Sequence, residues 1–242
     1  MLALLNISKT FYSRSAENKV INKLSLTVKK GTVFGFLGAN GAGKTTTLKM
    51  IVGLLFTDTG TIKIGKDSST SLAARQRIGF MSESPQFYRH LTVAEVLEFV
   101  GQLYGLEPAE ITKRTKELLK DVGLAANANL LCKKMSKGMH QRLGFAAAMM
   151  NDPELLVLDE PLDGLDPLGR LDFKRLMVKL KKRGTTIFFS SHILADVEEL
   201  CDEVAIIDKG KIVCQGSPKS LLKGRKQTLE EFFVTTVTKS SS

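Results

Sequence analysis

The chain has 242 residues, of which 43% are hydrophobic and 25% are charged. These values are typical of a soluble globular protein with a substantial core, and no apolar run approaches the length of a membrane span, about 18 residues or more. The first residues show no cleavage-site pattern, so we expect no secretory signal and a cytoplasmic location. The formal net charge of +10 leaves two anionic partners open, nucleic acid and a lipid surface.

Two strand-like segments open the chain. Residues Leu2 to Phe11 and Val20 to Val28 form them, and the polar stretch Ser13 to Lys19 separates them. This arrangement predicts an antiparallel hairpin that precedes the core. The next apolar run, Val33 to Leu37, is bounded by glycines and predicts a buried strand.

The segment from Gly38 to Thr45 reads GANGAGKT and matches the phosphate-binding loop pattern GxxxxGK[ST]. It lies between the strand predicted at 33–37 and a segment of helical composition at 45–53. Its glycines let backbone N–H groups approach phosphates closely, and the following helix adds the positive end of its dipole. Lys44 is placed to reach the outer phosphates, and the Thr45 hydroxyl to ligate Mg²⁺. The predicted nucleotide contacts are Gly38, Asn40, Gly41, Ala42, Gly43, Lys44, Thr45 and Thr46.

Helical spacing dominates the middle of the chain. Three segments show it, Thr92 to Tyr104, Pro108 to Val122 and Ser136 to Met150. Gly105 and Gly123 follow the first two segments and are predicted to end the helices.

Strands resume after this helical stretch. Two continuous apolar runs, Leu155 to Leu158 and Thr185 to Ser190, are typical of a parallel sheet that is covered on both faces. A hairpin is predicted next, from Val204 to Ile207 and from Lys211 to Cys214. The basic and then Ser/Thr-rich end, Lys219 to Ser242, predicts one short helix before a frayed terminus.

The predicted fold class is α/β. The order of elements indicates a P-loop NTPase (RecA-like) core with a mostly parallel sheet, an N-terminal antiparallel β subdomain and an inserted α-helical subdomain. We expect one nucleotide-binding domain over residues 1–219, with its core at 1–83 and 154–219 and the helical insert at 84–153. Residues 220–242 are expected to form a short C-terminal helix and tail.

Two carboxylates end the strand predicted at 155–158. Asp159 is placed to hold Mg²⁺ through its waters, and Glu160 to polarise the water that attacks a terminal phosphate. A strand followed by Asp-Glu is by itself weak evidence of a catalytic site. The evidence becomes strong when the same chain also contains the phosphate-binding loop.

Between these two motifs, segment 135–142 reads MSKGMHQR, in which Ser136 can cap the helix that follows. Here the chain resembles the ATP-binding subunits of ABC transporters, whose signature motif LSGGQ occupies the same place. Ser136 and Gly138 match this motif, whereas Lys137 replaces a glycine and Met139 replaces the glutamine. The variant SKGM followed by QR is similar to the subgroup that serves exporters of the ABC-2 type. Because the family uses this motif in trans, the resemblance implies that all four residues contact ATP across a head-to-tail dimer.

Further family elements match one at a time. The segment 161–166 resembles the D-loop, which implies that Asp163 reaches the opposite site of the dimer. His192 ends a strand as the family's switch histidine does, where it can bond the terminal phosphate and the attacking water. Phe11, with Tyr12 as the alternative, stands where the family stacks an aromatic ring on adenine, although an aromatic there can also be hairpin core. The implied catalytic residues are Glu160, His192 and Lys44.

One position departs from the family pattern. Glu83 stands where the family usually has the glutamine that senses Mg²⁺ and the attacking water; a carboxylate still ligates Mg²⁺ but adds negative charge beside the phosphates. Gln86 is the alternative sensor. The next segment, 87–90, stands where the family receives a short helix from its membrane subunit, unless it packs as an ordinary loop on the helical insert. The implied Mg²⁺ ligands are Thr45, Glu83 and Asp159.

The resemblance implies an ATPase subunit that binds two Mg-ATP between two ATPase domains and drives a separate transmembrane permease, as part of an exporter. The second domain is a second copy or a paralogous ATPase subunit, and the chain is held at the cytoplasmic face of the membrane through its permease. The alternative is a soluble ABC-type ATPase that acts on nucleic acid or ribosomes. Such relatives usually carry two cassettes in one chain, so we expect no specific nucleic-acid partner. A regulatory module without hydrolysis is disfavoured because Glu160 and His192 are both present.

Overall fold

A computed structural model describes residues 1–13, 16–223 and 227–241, and this part of the chain forms two sheets with their covering helices. The strands are β1 (Leu2–Tyr12), β2 (Glu17–Val28), β3 (Val33–Leu37), β4 (Thr59–Ile64), β5 (Asp67–Ser68), β6 (Ile78–Met81), β7 (Leu155–Leu158), β8 (Thr186–Ser191), β9 (Glu203–Asp208) and β10 (Lys211–Gly216). The α-helices are α1 (Lys44–Ile51), α2 (Leu72–Arg75), α3 (Val93–Leu103), α4 (Pro108–Asp121), α5 (Lys137–Ala148), α6 (Pro167–Lys182), α7 (Leu194–Leu200), α8 (Pro218–Leu221) and α9 (Leu229–Ser241).

The smaller sheet is antiparallel, in the strand order β2-β1-β4-β5. The predicted hairpin is confirmed, since β1 pairs antiparallel with β2 and places Leu2 opposite Val28. Because β2 begins at Glu17, the connection is shorter than the polar stretch suggested. Sequence analysis missed β4 and β5. Only Ile62 and Ile64 of β4 are buried, so its alternation is too short to stand out.

The larger sheet has the strand order β10-β9-β3-β8-β7-β6. Its strands are parallel except for β10, which forms the predicted antiparallel hairpin with β9. β3, β7 and β8 are buried at every position, as expected of strands covered on both faces. One face packs with the antiparallel sheet and α1, and the other packs against α3 to α7 and α9. The predicted α/β architecture with a mostly parallel sheet is confirmed.

Three helices, α3, α4 and α5, follow one another between β6 and β7, as the spacing predicted. Thr92 and Glu95 form a capping box that starts α3, because each side chain accepts a hydrogen bond from the other residue's backbone N–H. Gly105 and Gly123 both have φ of +71° just beyond the ends of α3 and α4, so these predicted stops are left-handed C-terminal residues. None of the helices in the described ranges has both the length and the apolarity to cross a bilayer.

The C-terminal region differs from the single short helix that was predicted. The short helix α8 spans Pro218–Leu221, and α9 then runs from Leu229 to Ser241 without the expected fraying before that residue. Leu229 and Phe232 are buried in the core beside α7 and β9, and this burial holds the helix. Thr235 also donates its hydroxyl to the Glu231 carbonyl one turn earlier. The residues 224–226 and 242 lie outside the described part of the chain.

Candidate nucleotide-binding site

The phosphate-binding loop connects β3 directly to α1. Gly41 and Gly43 have φ of +81° and +108°, a left-handed region that other residues rarely adopt. A Cβ atom on Gly38 would lie 2.6 Å from the Ile207 carbonyl oxygen, and one on Gly43 would lie 2.6 Å from Cδ1 of Ile21. Glycine is therefore required at these positions by conformation and by the close packing of the loop on β9 and β2.

The loop opens into a cavity of about 560 Å³. Ten of the predicted nucleotide, metal and catalytic residues line it: Asn40, Gly41, Gly43, Lys44, Thr45, Thr46, Glu83, Glu160, Asp163 and His192. Asn18, Val20 and Ala39 line it as well, and sequence analysis did not single them out. Asn18 and Val20 belong to β2, so only the folding of the antiparallel sheet over the loop brings them there.

Lys44 is almost fully buried at the base of this cavity. Its Nζ donates a hydrogen bond to the Gly38 carbonyl oxygen at 2.8 Å and lies 3.4 Å from Oε1 of Glu160. The ammonium group is therefore held by the loop itself and faces the acidic side of the cavity. A lysine in this position can act on anionic oxygen atoms that enter the cavity.

Glu160 forms the centre of the acidic side. Its Oε2 lies 2.9 Å from Nδ1 of His192 and accepts a hydrogen bond from the His192 backbone N–H at 3.2 Å. The backbone of Glu160 is left-handed, with φ of +47°, which is uncommon for a residue with a side chain. Its N–H donates to Oγ of Ser190 at 2.9 Å, so the end of β8 holds this conformation.

Asp159 lies behind the cavity surface. It is 1% exposed, and its Oδ1 accepts a hydrogen bond from Oγ of Ser190 at 2.6 Å. Ser190 thus links the two adjacent carboxyl residues, a contact that sequence analysis missed because 30 positions separate Glu160 from Ser190. The oxygen donors in and just behind the cavity are the Thr45 hydroxyl and several carboxylates. This is the kind of donor set that Mg²⁺ prefers, so the residues fit that ion.

The two candidate sensor residues occupy different places. Glu83 lines the nucleotide cavity together with Lys44 and Thr45. Gln86 is absent from that lining; it lines a second cavity of about 290 Å³ beside the start of α5, which Glu83 also borders. The segment that follows is partly packed, because the Phe87 ring stacks on His140 with centroids 6.1 Å apart, whereas Tyr88 is exposed.

The aromatic candidates for adenine stacking lie outside the cavity lining. Phe11 is 42% exposed near the end of β1, and Nζ of Lys9 lies 5.7 Å from its ring centroid. The alternative interpretation, in which the Phe11 ring packs in the core of the hairpin, is therefore wrong. Its partner across the strands is Asn18, which does line the cavity. Tyr12 is still more exposed than Phe11. The adenine role of Phe11 stays a prediction.

The signature-like segment starts α5 outside the lining of the nucleotide cavity. Ser136 caps the helix by accepting a hydrogen bond from the Met139 N–H at 3.3 Å. Neither residue lines the nucleotide cavity, and the same is true of Lys137 and Gly138. The segment therefore does not belong to the chain's own cavity lining, and its contact with ATP in trans stays a prediction.

Lys137 forms an ion pair with Asp163, whose side chain lines the cavity. The Nζ to Oδ2 distance is 2.8 Å, and both side chains are partly exposed. The hydrogen bond between them raises the pKa of Lys137 above its ordinary value and lowers the pKa of Asp163 below its own. Burial opposes both shifts, and the charge of Glu83 also raises the pKa of Lys137, whereas that of His192 lowers the pKa of Asp163. Both partners therefore stay charged across the neutral pH range.

The fold and the loop define a P-loop nucleotide-binding domain. The family model described as ABC transporter matches residues 21–163, which is more than half of the chain. The chain belongs to this family, and the resemblance that the motifs indicated is confirmed.

Curated relatives agree with this assignment. The chain is 46% identical over 201 residues to an uncharacterised ABC transporter ATP-binding protein of Nostoc, covering 82% of this chain and 60% of that one. It is 41% identical over 220 residues to a fluoroquinolones export ATP-binding protein of Mycobacterium tuberculosis, covering 90% of this chain and 72% of that one. The chain spans 60% and 62% of the length of the first two relatives that it matches.

Solved structures share the fold. One described as the structure of the ATP binding subunit of an ABC transporter has a TM-score of 0.88 at 30% identity and covers 98% of this chain and 99% of that one. A dimeric bacterial ABC transporter cassette has a TM-score of 0.84 at 24% identity and covers 90% of this chain and 98% of that one. At that identity the second likeness concerns the fold alone.

Proposed function

We propose that this chain binds and hydrolyses ATP as the ATPase subunit of an ABC exporter. One observation carries the proposal. Lys44, Glu160 and His192 come from three separate elements and meet at one cavity, where Glu160 lies within 3.4 Å of Lys44 and 2.9 Å of His192. A cation for the phosphates, a carboxylate for the attacking water and an imidazole that orients the carboxylate are the groups that phosphoryl transfer to water needs.

The roles of these side chains follow from their contacts. The phosphates of ATP enter beside the N–H groups of the loop and the start of α1, where the helix dipole favours negative charge. Lys44 then exchanges the Gly38 carbonyl oxygen for phosphate oxygens. Glu160 loses its cationic neighbour and is free to accept a proton from water at Oε1. His192 holds Oε2, so the carboxylate keeps its orientation during this exchange.

Thr45, Glu83 and Asp159 are the proposed Mg²⁺ ligands, with Asp159 acting from its place behind the cavity. When bound, Mg²⁺ neutralises charge on the phosphate oxygens. Glu83, Glu160 and Asp163 place three carboxylates in the cavity lining. A bound cation offsets the repulsion between these carboxylates and the phosphates. Glutamate at position 83, in place of the family's usual glutamine, is therefore compatible with the site.

We propose that the active form is a head-to-tail dimer, with a second copy or a paralogous subunit. The segment Ser136 to Met139 does not line the chain's own cavity, and in the proposed dimer it covers the nucleotide of the other subunit. Asp163 takes part in this interface through the loop that follows Glu160. The helical subdomain proposed at 84–153, inserted between core segments 1–83 and 154–219, would carry the segment into place.

A separate transmembrane permease is the proposed partner, and it would hold the chain at the cytoplasmic face of the membrane. The export role rests on the motif variant SKGM and on relatives such as the fluoroquinolones export protein. Action on nucleic acid is the less supported alternative, because the family match and the relatives' names point to transport.

The test is the rate of Mg-ATP hydrolysis by the purified chain, compared with Lys44→Ala. We expect slow turnover in the unaltered chain. The variant should lose nearly all binding of a fluorescent ATP analogue and nearly all hydrolysis, because the cation for the outer phosphates is removed. Lys49→Ala, on an exposed lysine of α1, is the matched control. Wild-type turnover in Lys44→Ala would refute the site.

A further inference from the structure

Gln141 is a buried polar residue in the second turn of α5, only 1% exposed. Its Nε2 donates one hydrogen bond to the backbone carbonyl oxygen of Glu83 at 2.9 Å and another to that of Asp163 at 3.2 Å. Because both partners are acceptors, only the nitrogen of the amide can face them, which determines its orientation. Its Oε1 is buried and has no hydrogen-bond partner among the residues that the structure describes.

These two carbonyl groups belong to the acidic residues that border the nucleotide cavity. Glu83 follows β6, and Asp163 lies in the loop that follows Glu160; both side chains line the cavity. Gln141 does not line it. One side-chain amide therefore ties together the backbones of two loops that approach the cavity from different strands.

The two loops also contact α5 outside this amide. A Cβ on Gly144, one turn beyond Gln141, would lie 2.5 Å from Cγ of Pro85. A Cβ on Gly164 would lie 2.5 Å from Cε of Lys137. The Glu83 loop is thus closely packed on the helix, whereas the Asp163 loop is tied to it by the Gln141 hydrogen bond and the Lys137 ion pair. A displacement of α5 is passed to both loops through these contacts.

We propose that Gln141 is a positioning residue that couples the start of α5 to Glu83 and Asp163. Through its two hydrogen bonds, the signature-like segment and the two acidic loops move as one unit when ATP closes the cavity. Gln141 acts on the reaction only through these loops. The inference rests on the proposed ATPase function and adds a route by which the signature-like segment affects Glu83.

The test replaces Gln141 by Met, which has similar length and helix propensity but no hydrogen-bond donor. We expect ATP affinity to change by less than about twofold, because the phosphate-binding loop is untouched. We expect kcat to fall about tenfold or more, as the loss of one or two buried hydrogen bonds at a reaction step implies.

A second measurement does not depend on turnover. In the unaltered chain, ATP with Mg²⁺ should slow amide hydrogen exchange in residues 38–46, 82–86 and 161–165 together. In Gln141→Met, we expect residues 38–46 to keep this protection while 82–86 and 161–165 lose it, because the link from α5 to both loops is gone.

The matched control is Phe145→Leu, on the same helix. It leaves space beside Phe173, whose ring centroid is 4.8 Å away, and destabilises α5 without touching the amide contacts. At a comparable loss of Tm it should keep kcat close to the unaltered value. An equal fall in kcat for both variants would mean a general loosening of α5 and would overturn the inference.

Two other outcomes are decisive. Unaltered kcat and loop protection in Gln141→Met would overturn the coupling role and leave the proposed function intact. Failure of the unaltered chain to bind and hydrolyse ATP would overturn the proposed function, and this inference with it.

Discussion

Oε2 of Glu160 lies 2.9 Å from Nδ1 of His192, although the two residues are 32 positions apart in the chain. The same carboxylate presents Oε1 to Lys44 at 3.4 Å. One oxygen is thus held by the imidazole while the other faces the cation. In the proposed mechanism, this division leaves Oε1 as the atom that receives a proton once Lys44 binds phosphate.

Glu160→Gln keeps the shape of this side chain and removes its basicity. We expect ATP affinity to be retained and hydrolysis to fall about 100-fold or more, the scale of a lost general base. ATP then stays bound, so a stable dimer should appear in sizing chromatography with Mg-ATP. Glu198→Gln, an exposed glutamate of α7, is the matched control. A monomeric Glu160→Gln variant with full hydrolysis would contradict both the role of Glu160 and the dimer.

Ser190→Ala tests the hydroxyl that joins the two adjacent acidic residues. The change leaves Oδ1 of Asp159 and the Glu160 N–H without their partner in a buried place, which costs about 1–3 kcal/mol of folding free energy. We also expect a higher Mg²⁺ requirement for hydrolysis, because Asp159 loses its orientation. Thermal unfolding and a Mg²⁺ titration measure the two effects. Ser191→Ala, next in the strand, is the control and should leave the Mg²⁺ requirement unchanged.

Glu83 and Gln86 are compared by substituting each one. Glu83→Gln removes one negative charge from the cavity, so hydrolysis should persist with a Mg²⁺ requirement lower by a few-fold. Glu83→Ala should impair turnover more than ATP binding, and Gln86→Ala should reduce turnover only slightly because Gln86 does not line the nucleotide cavity. The measurement is the ATPase rate against Mg²⁺ concentration. If Gln86→Ala abolished the ATPase rate while both Glu83 variants left it unchanged, the sensor role would belong to Gln86.

Lys137 and Asp163 form an ion pair within one chain, and the proposed dimer requires Lys137 to turn to the partner's nucleotide. Lys137→Met in the Glu160→Gln background should weaken ATP-dependent dimer formation and reduce its dependence on salt. The stability of the single chain should change little, because the pair is partly exposed. Lys134→Met, at an exposed lysine nearby, is the control.

The effect of Lys137→Met on dimer formation should not depend on pH between about 5 and 9. The pKa of Asp163 is lowered and that of Lys137 is raised, so both side chains stay charged over this range. Dimerisation that is equal in the two lysine variants would exclude a role for Lys137.

The features that could be predicted from the sequence are those that depend on residues close together in the chain. The loop from Gly38 to Thr45 needs glycines where the backbone is left-handed or tightly packed, and a lysine at its end, so the site is encoded in consecutive residues. Asp159 and Glu160 could be predicted as site residues for a similar reason, because they directly follow an apolar strand. The helical stretch that contains α3, α4 and α5 was evident from its 3.6-residue period and its glycine stops.

The tertiary structure decided how these local pieces meet. The order of the strands in the sheet cannot be inferred from any single segment of the sequence. In the structure β8 lies between β3 and β7, so that Ser190 and His192 reach Glu160. Asn18 and Val20 enter the cavity only because the antiparallel sheet folds over the loop. The proposed role of Gln141 depends on hydrogen bonds to two backbone carbonyl groups more than 20 positions away. A pattern of side chains in the sequence does not predict such backbone partners. Burial and hydrogen bonding over long separations set these contacts, whereas periodicity and turn chemistry act only between near neighbours in the chain.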